Sequence, residues 1–284
     1  MQTTLTARNY HGLDFVAGYT YAHAIDDLSS NWVAYLPQDS TRPGLDRGSS
    51  DFDITHRFTL SVTYALPEKK MRGQLLEGWQ LNTIITMQSG QPWGVNDQTN
   101  NFAGANENSD RWDFFGKTSD FKSQGPNGLP YFSGTSNSAC TAKATVLDGT
   151  NPTQPFMTAL GIAGCYANGN SILIPNGIGT FGTMGRNIFR DTGFHNVDLS
   201  VSKSFKFGER MKAQFRVETF NIFNHPNFAN PYGSTSGYGQ GATADPSQPG
   251  VFGCGCATPD NASFNPVLGS GSNRAIQLGL KFIF

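Results

Sequence analysis

The sequence predicts an all-β fold: a segment of an antiparallel transmembrane β-barrel with about seven strands and long extracellular loops. Three observations predict it. Seven stretches alternate between apolar and polar side chains, the connections between them alternate in length, and the last stretch ends on an aromatic residue. Successive side chains of a strand point to opposite faces, so such stretches suit a wall between lipid and a wet lumen.

The composition fits this class and excludes another. Nowhere does the chain hold an uninterrupted apolar run of about 18 residues, which a membrane-spanning helix needs, so a helical membrane protein is excluded. Barrel strands need an apolar side chain only at every second position. The formal net charge of −1 gives no reason to expect a nucleic-acid partner.

The first residues carry no charged segment followed by an apolar one, so the sequence shows no secretory signal. Alternation begins at once, with Thr3, Leu5 and Ala7 on one face. We therefore predict a first strand near residues 1–8, and we expect Met1 to be a truncation point within a longer protein.

The next three strands are predicted at residues 12–25, 53–66 and 75–89. Asp14 falls on the polar face of the first of these, and a carboxylate suits a lumen better than lipid. Apart from the C-terminal stretch, the strand at 53–66 alternates most clearly, and its apolar face consists of Phe58, Leu60, Val62, Tyr64 and Leu66.

The last three strands are predicted at residues 194–207, 211–223 and 274–284. Lys203 falls on the apolar face of the first, where its side chain has to snorkel. Near Thr219 the alternation of the second changes phase, which a bulge or an aromatic girdle explains. The apolar face of the closing strand consists of Ile276, Leu278, Leu280, Phe282 and Phe284.

Short and long connections alternate along the chain. Residues 67–74 and 208–210 are short connections, whereas 26–52, 91–193 and 224–273 are long and rich in Gly, Ser, Asn and Pro. We expect the long connections to lack regular structure of their own. Outer-membrane barrels combine short periplasmic turns with long extracellular loops, so every long connection falls on the outer side.

All four cysteines lie in the two longest connections. Four cysteines allow three pairings, and an oxidising exterior permits disulfides. We favour a bridge between Cys140 and Cys165, because it closes a flexible loop segment. The pairing of Cys254 and Cys256 stays open, since one intervening residue strains a disulfide and zinc sites use wider spacing. We predict no metal site.

Candidate chemistry is sparse. Residues 51–57 cluster ionisable groups, for which we predict a structural ion pair between Asp53 and Arg57. Residues 96–120 are acidic but lack the calcium-loop spacing, and the chain has no zinc-protease, phosphate-loop or nucleophile-elbow motif. We predict no catalytic activity and no cofactor. The charged residues predicted to face the lumen are Asp14, Asp198, Lys212, Arg216 and Glu218.

Several motifs resemble the C-terminal barrel region of Oar-like TonB-dependent outer-membrane receptors. The motifs are Tyr19–Asp27, Ser50–Phe58, Gly78–Leu81 with the following Gln88–Pro92, Gly185–Asn187, Asp198–Lys203 and Phe215–Phe228. The resemblance implies a 22-stranded barrel that transports a ligand, is plugged by an N-terminal domain and is energised through TonB. This chain then corresponds to about the last third of such a receptor. Phe284 resembles the terminal signal that the barrel assembly machinery recognises. The resemblance implies no ligand-binding residues.

The leading hypothesis is therefore a receptor and transporter fragment in the outer membrane, in contact with lipid and with missing strands and a plug. Its ligand and the direction of transport stay open. One alternative is a small stand-alone barrel or surface adhesin, which needs an even strand count of at least eight. Another is a secreted β-sandwich lectin, in which a second sheet has to cover the apolar faces.

Overall fold

The computed structural model describes most of the chain. The described residues are 1–29, 37–67, 73–97, 110–122, 124–125, 138–147, 165–177, 179–190, 192–208, 210–228 and 273–284. Cys254, Cys256, most of the predicted loop 224–273 and most of the acidic stretch from residue 96 to 109 lie outside them.

Strands dominate the described residues. In chain order they are β1 (Gln2–Tyr10), β2 (Leu13–Tyr21), β3 (Ile25–Asp26), β4 (Gly48–Ser49), β5 (His56–Ala65), β6 (Trp79–Gln88), β7 (Pro92–Trp93), β8 (Asn96–Asp97), β9 (Asp110–Arg111), β10 (Asp113–Phe115), β11 (Tyr166–Asn168), β12 (Ser171–Ile174), β13 (Phe189–Arg190), β14 (Phe194–Phe207), β15 (Met211–Phe220) and β16 (Ala275–Ile283). The helical elements are α1 (Ser138–Leu147) and the 3₁₀ turns Pro43–Asp46, Gly73–Leu76 and Thr118–Asp120. The predicted all-β class is confirmed.

The long strands form one seven-stranded sheet in the order β1-β2-β5-β6-β14-β15-β16. Each neighbouring pair is antiparallel. The sheet is open, with β1 and β16 at its edges among the described residues. Because the chain moves to the next strand each time, the short connections meet at one end of the sheet and the long connections meet at the other.

The pairing register separates apolar from polar side chains. One row across five strands places Leu5, Ala17, Leu60, Ile85 and Val197 opposite one another on one face. The next row, on the other face, contains Thr4, Gly18, Thr59, Thr86 and Asn196. Each strand therefore contributes to two continuous surfaces, as alternation predicts.

The apolar face is exposed at both edges of the sheet and half-buried on much of the strands between them. Leu278 and Leu280 on the edge strand β16 are 66% and 63% exposed, and Leu5 on the opposite edge is 62% exposed. A soluble monomer rarely leaves so much contiguous apolar surface in water, so this face needs lipid around it.

Two predicted strands end earlier than expected. β2 ends at Tyr21, because residues 25–26 leave the sheet and pair with β4 instead. β15 ends at Phe220, where Asn221 takes a left-handed conformation with φ of 49°. The phase change near Thr219 therefore marks the end of a strand, rather than a bulge within it.

Lys203 lies on the apolar face and is nearly buried. It is paired with Trp79, and its ammonium donates to the carbonyl oxygens of Gln74 and Glu77 in the connection between β5 and β6. The same ammonium lies 4.8 Å from the ring centre of Phe205. The lysine is therefore satisfied by backbone carbonyls of a neighbouring turn and by aromatic faces.

The described residues of the first two long connections are folded, contrary to the expectation that these connections lack regular structure. We call the described residues of 22–55 and 89–193 the cap. The cap holds β3 and β4, β7 to β13 and helix α1, and it also holds the buried hydrophobic cluster found among the described residues. That cluster consists of Trp93, Val95, Trp112, Phe121, Tyr166, Leu173, Met184 and Phe189.

Candidate functional site

The five charged residues predicted to face the lumen all belong to the polar rows of the sheet. Asp198, Arg216 and Glu218 line one depression of about 310 Å³, together with Gln80 and Asn82. Asp14 lies three strands away from Asp198, opposite Thr63. Lys212 lies next to the β14–β15 turn, directly opposite Lys206. The structure thus brings three of the five together.

The charged side chains in this depression all have polar partners. Arg216 Nη1 lies 3.4 Å from Glu218 Oε1, and its Nη2 lies 3.4 Å from Gln214 Oε1. Asp198 Oδ1 accepts hydrogen bonds of 2.9 Å from the Asn196 amide and from the Asn221 backbone N–H. These contacts make Asp198 a fixed part of the wall at the point where β15 ends.

Sequence reasoning missed a second depression on the polar face. It has a volume of about 340 Å³ and is lined by Arg57, Gln2, Thr4, Thr20 and Thr59, among others. Alternation already places Arg57 and Thr59 on the polar side of β5. Their neighbours on β1 and β2 depend on the pairing register, which no local pattern specifies.

The cap is held together by arginines that reach across the chain. The Arg186 guanidinium donates to Asp26 Oδ1 at 2.6 Å and to Ser29 Oγ at 2.5 Å, and it lies 3.4 Å from Asp51 Oδ1. Asn187 Nδ2 donates to the same Asp51 oxygen at 2.6 Å. Residues from the first two long connections therefore meet in one partly buried cluster.

The pairing predicted between Asp53 and Arg57 is wrong. Asp53 is almost fully buried and accepts from Arg190, from the Ala24 N–H at 2.8 Å and from His23 Nδ1 at 3.0 Å. Arg57 lies on the polar face of β5, opposite Thr20. Proximity in sequence suggested the pair, but the chain turns between the two residues. The Asp53 carboxylate instead forms its ion pair with Arg190 of the second long connection.

Burial raises the pKa of the Asp26 carboxyl, but hydrogen bonds from Arg186, Ser50 and Ser29 outweigh it, so the pKa lies below its ordinary value. The same balance holds at Asp53. Burial raises the pKa of its carboxyl, but the hydrogen bonds from Arg190, the Ala24 N–H and His23 outweigh burial, so the pKa lies below its ordinary value. Both carboxylates are therefore ionised at neutral pH.

A further buried pair joins Asp46 to Arg111, and Arg111 also donates to the carbonyl of Met184 at 2.8 Å. Gln38 lies beside this pair and donates to the carbonyl of Gly182 at 2.9 Å. A disulfide joins Cys140 in α1 to Cys165. The Asp46–Arg111 and Gln38–Gly182 contacts join the first long connection to the second, whereas the disulfide lies within the second.

Two buried asparagines fix the start of the third long connection. Asn227 exchanges hydrogen bonds with the backbone of His195 at 2.7 and 3.0 Å. Asn221 closes a turn with the backbone of His225 through two bonds of 2.9 Å. The motif at residues 215–228 therefore ties the end of β15 to the start of β14.

The motifs that carry the family resemblance thus provide structural contacts between distant segments. Tyr19–Asp27, Ser50–Phe58 and Gly185–Asn187 supply the Arg186 cluster, and Phe215–Phe228 supplies the asparagine ties. Among the described residues, no group of three His, Cys, Asp or Glu side chains is placed to hold a metal ion. No helix in this part of the chain is long and apolar enough to span a membrane.

Comparison with known proteins agrees with this architecture. The family model described as outer membrane beta barrel domain matches residues 1–251 of the 284-residue chain. No curated protein and no solved structure matches the chain. The family places the protein in the outer membrane, where the apolar face meets lipid. The chain belongs to the outer membrane beta barrel domain family.

Proposed function

We propose that the chain forms the C-terminal part of the barrel of an Oar-like TonB-dependent receptor, which binds a ligand and translocates it across the outer membrane. The observation that carries this proposal is the number and direction of the strands. Six consecutive antiparallel steps join β1 to β16, so these two edge strands run in the same direction.

If these seven strands closed into a barrel by themselves, β1 and β16 would pair with each other as parallel strands. Bacterial outer-membrane barrels have an even number of antiparallel strands, and the smallest have eight. An odd number of additional strands between β16 and β1 removes the conflict. The 22-stranded barrel implied by the motifs meets this requirement, because it adds fifteen strands.

The remaining parts of the proposal follow from that receptor class. An N-terminal plug fills the lumen, TonB supplies energy from the periplasm, and the assembly machinery recognises the terminal strand with Phe284. The side chains of this chain bind and position a ligand and perform no covalent chemistry. The cap provides the first contact from outside, and the polar face of the sheet provides the wall along which the ligand passes.

A second candidate is a stand-alone outer-membrane barrel or adhesin that acts through its cap. The observation that favours it is the cap's own hydrophobic cluster and disulfide, which give it a rigid surface for binding. This candidate needs no TonB.

The two candidates differ in their response to TonB. The test uses the full-length protein that contains this chain, purified from outer membranes in detergent, and the soluble periplasmic domain of TonB. We expect saturable binding of that domain by calorimetry, and none to a porin in the same detergent. Absence of binding to the native protein would exclude the TonB-dependent receptor and leave the adhesin.

A further inference from the structure

Six residues on the polar face form two short rows next to the cap, and we call these six residues the Arg57 grid. One row across β1, β2 and β5 contains Gln2, Thr20 and Arg57, and the next row contains Thr4, Gly18 and Thr59. All six line the depression of about 340 Å³. Because directly opposed side chains lie about 5 Å apart, the five that surround Gly18 converge on one small volume.

Gly18 lies in the middle of one row and has no side chain, so its backbone lines the bottom of the depression. A Cβ at this position lies 3.2 Å from Thr59 Oγ1, which is tighter than an ordinary contact. A larger side chain fills the space between the two rows. The absence of a side chain at Gly18 is therefore what leaves room for a group between the threonines and the guanidinium.

The grid is rich in hydrogen-bond donors and holds no carboxylate. Arg57 offers five N–H donors, three threonines offer hydroxyls and Gln2 offers an amide. On the same face Asp14 lies four residues from Gly18, about 13 Å along β2. Asp51 and Asp53 of the cap are engaged by Arg186 and Arg190. No salt bridge of Arg57 occurs within the part of the chain that the structure describes.

We propose that the Arg57 grid binds an oxyanion, namely the carboxylate or phosphate group of a solute that passes along the barrel wall. A guanidinium binds such groups through two parallel N–H bonds, and the surrounding hydroxyls complete the shell. This inference rests on the proposed function, because it names the chemical class of the ligand. The grid lies at the cap end of the sheet, and among the charged residues predicted or found on the polar face of these seven strands Arg57 is the nearest to the cap.

The test is calorimetric titration of the full-length protein in detergent with sodium phosphate, at constant ionic strength set with chloride. We expect saturable phosphate binding, about 10- to 100-fold weaker in Arg57→Gln, which removes one charged donor. Gly18→Val fills the bottom of the depression without changing the charge, and we expect it to weaken binding as well. Arg57→Lys keeps the charge but loses the paired geometry, so we expect an intermediate affinity.

Lys281→Gln is the matched control, because Lys281 is a cation on the same face, on β16 opposite Gln214. We expect it to bind phosphate as the unaltered protein does. Equal loss in Lys281→Gln, or binding unaffected by Arg57→Gln, would overturn the proposal. So would a protein that binds no phosphate but is destabilised by Arg57→Gln, since Arg57 then pairs with a carboxylate of the protein itself. TonB binding is measured separately, so failure here leaves the receptor proposal intact.

Discussion

Arg186 and Asp26 are 160 positions apart in sequence, yet the Arg186 guanidinium donates to the Asp26 carboxylate at 2.6 Å. This contact fastens the second long connection to the first, just above the seven-stranded sheet. The side chain of Arg186 is only 8% exposed, so water contributes little to its solvation. This pair is therefore one of the contacts that hold the first two long connections together.

Replacement of Arg186 by leucine is expected to loosen the cap. The substitution leaves Asp26 and Asp51 without their cation in a partly buried site, which costs about 3 kcal/mol of cap stability. Limited proteolysis of the protein in detergent measures the effect as faster cleavage within the cap. Arg42→Leu is the control, because the Arg42 side chain is 63% exposed and its partner Asp39 keeps the hydrogen bonds from Thr41. Similar cleavage rates in both variants would contradict this role of Arg186.

Acid is expected to destabilise the cap. The folded-state pKa values of Asp26 and Asp53 lie below their ordinary values, so the stability that these groups contribute is complete above the unfolded pKa of about 3.9. It is lost as the pH falls through the lower folded-state pKa. Hydrogen exchange in the cap between pH 6 and pH 3 measures this loss. Asp53→Asn should show a weaker pH dependence, and an unchanged slope would count against the assignment.

Loss of the Cys140–Cys165 disulfide is expected to weaken the cap without affecting the sheet. The bridge spans 25 positions, and closure of a loop of that length stabilises the folded state by about 3–4 kcal/mol. The double variant Cys140→Ser, Cys165→Ser should therefore be cleaved faster in the cap while the barrel keeps its gel migration before heating. A change in that migration would mean that the disulfide also supports the barrel.

The two faces of β5 are expected to respond differently to the same charge. Leu60→Arg places a cation on the lipid face near mid-strand and should cost about 2–4 kcal/mol, whereas Ser61→Arg, one residue later on the polar face, should cost little. The amount of folded protein in isolated outer membranes measures the difference. Equal loss in both variants would show that the apolar face does not meet lipid.

The seven long strands were predictable because alternation is a local signal. Phe58, Leu60 and Val62 reveal a strand without any knowledge of its neighbours. The cap was not predictable in this way. Trp93, Trp112 and Phe189 come from distant segments rich in Gly and Asn, and their short strands carry no period of their own.

The Arg57 grid shows the same limit at the level of a site. Sequence proximity pointed to Asp53 as the partner of Arg57, whereas the fold gives Asp53 to Arg190 and places Arg57 among threonines. The strand register and contacts between distant segments determine the partner of Asp53 and the neighbours of Arg57, and a local sequence pattern predicts neither. The charged residues of the wall were predictable as a set, but the grouping of Asp198, Arg216 and Glu218 was not.

The central claim is that β1 and β16 are not neighbours, because further strands lie between them in the barrel. Disulfide cross-linking in isolated outer membranes tests it most directly, in the full-length protein with Cys254 and Cys256 replaced by serine. A cysteine at Thr4 in β1 is combined in turn with one at Gln277, Gly279 or Lys281 in β16. The pair Glu218→Cys, Gln277→Cys is the positive control, since these residues are directly opposed. We predict efficient cross-linking in the control and none between β1 and β16; a cross-link at any of the three seam positions would contradict the account.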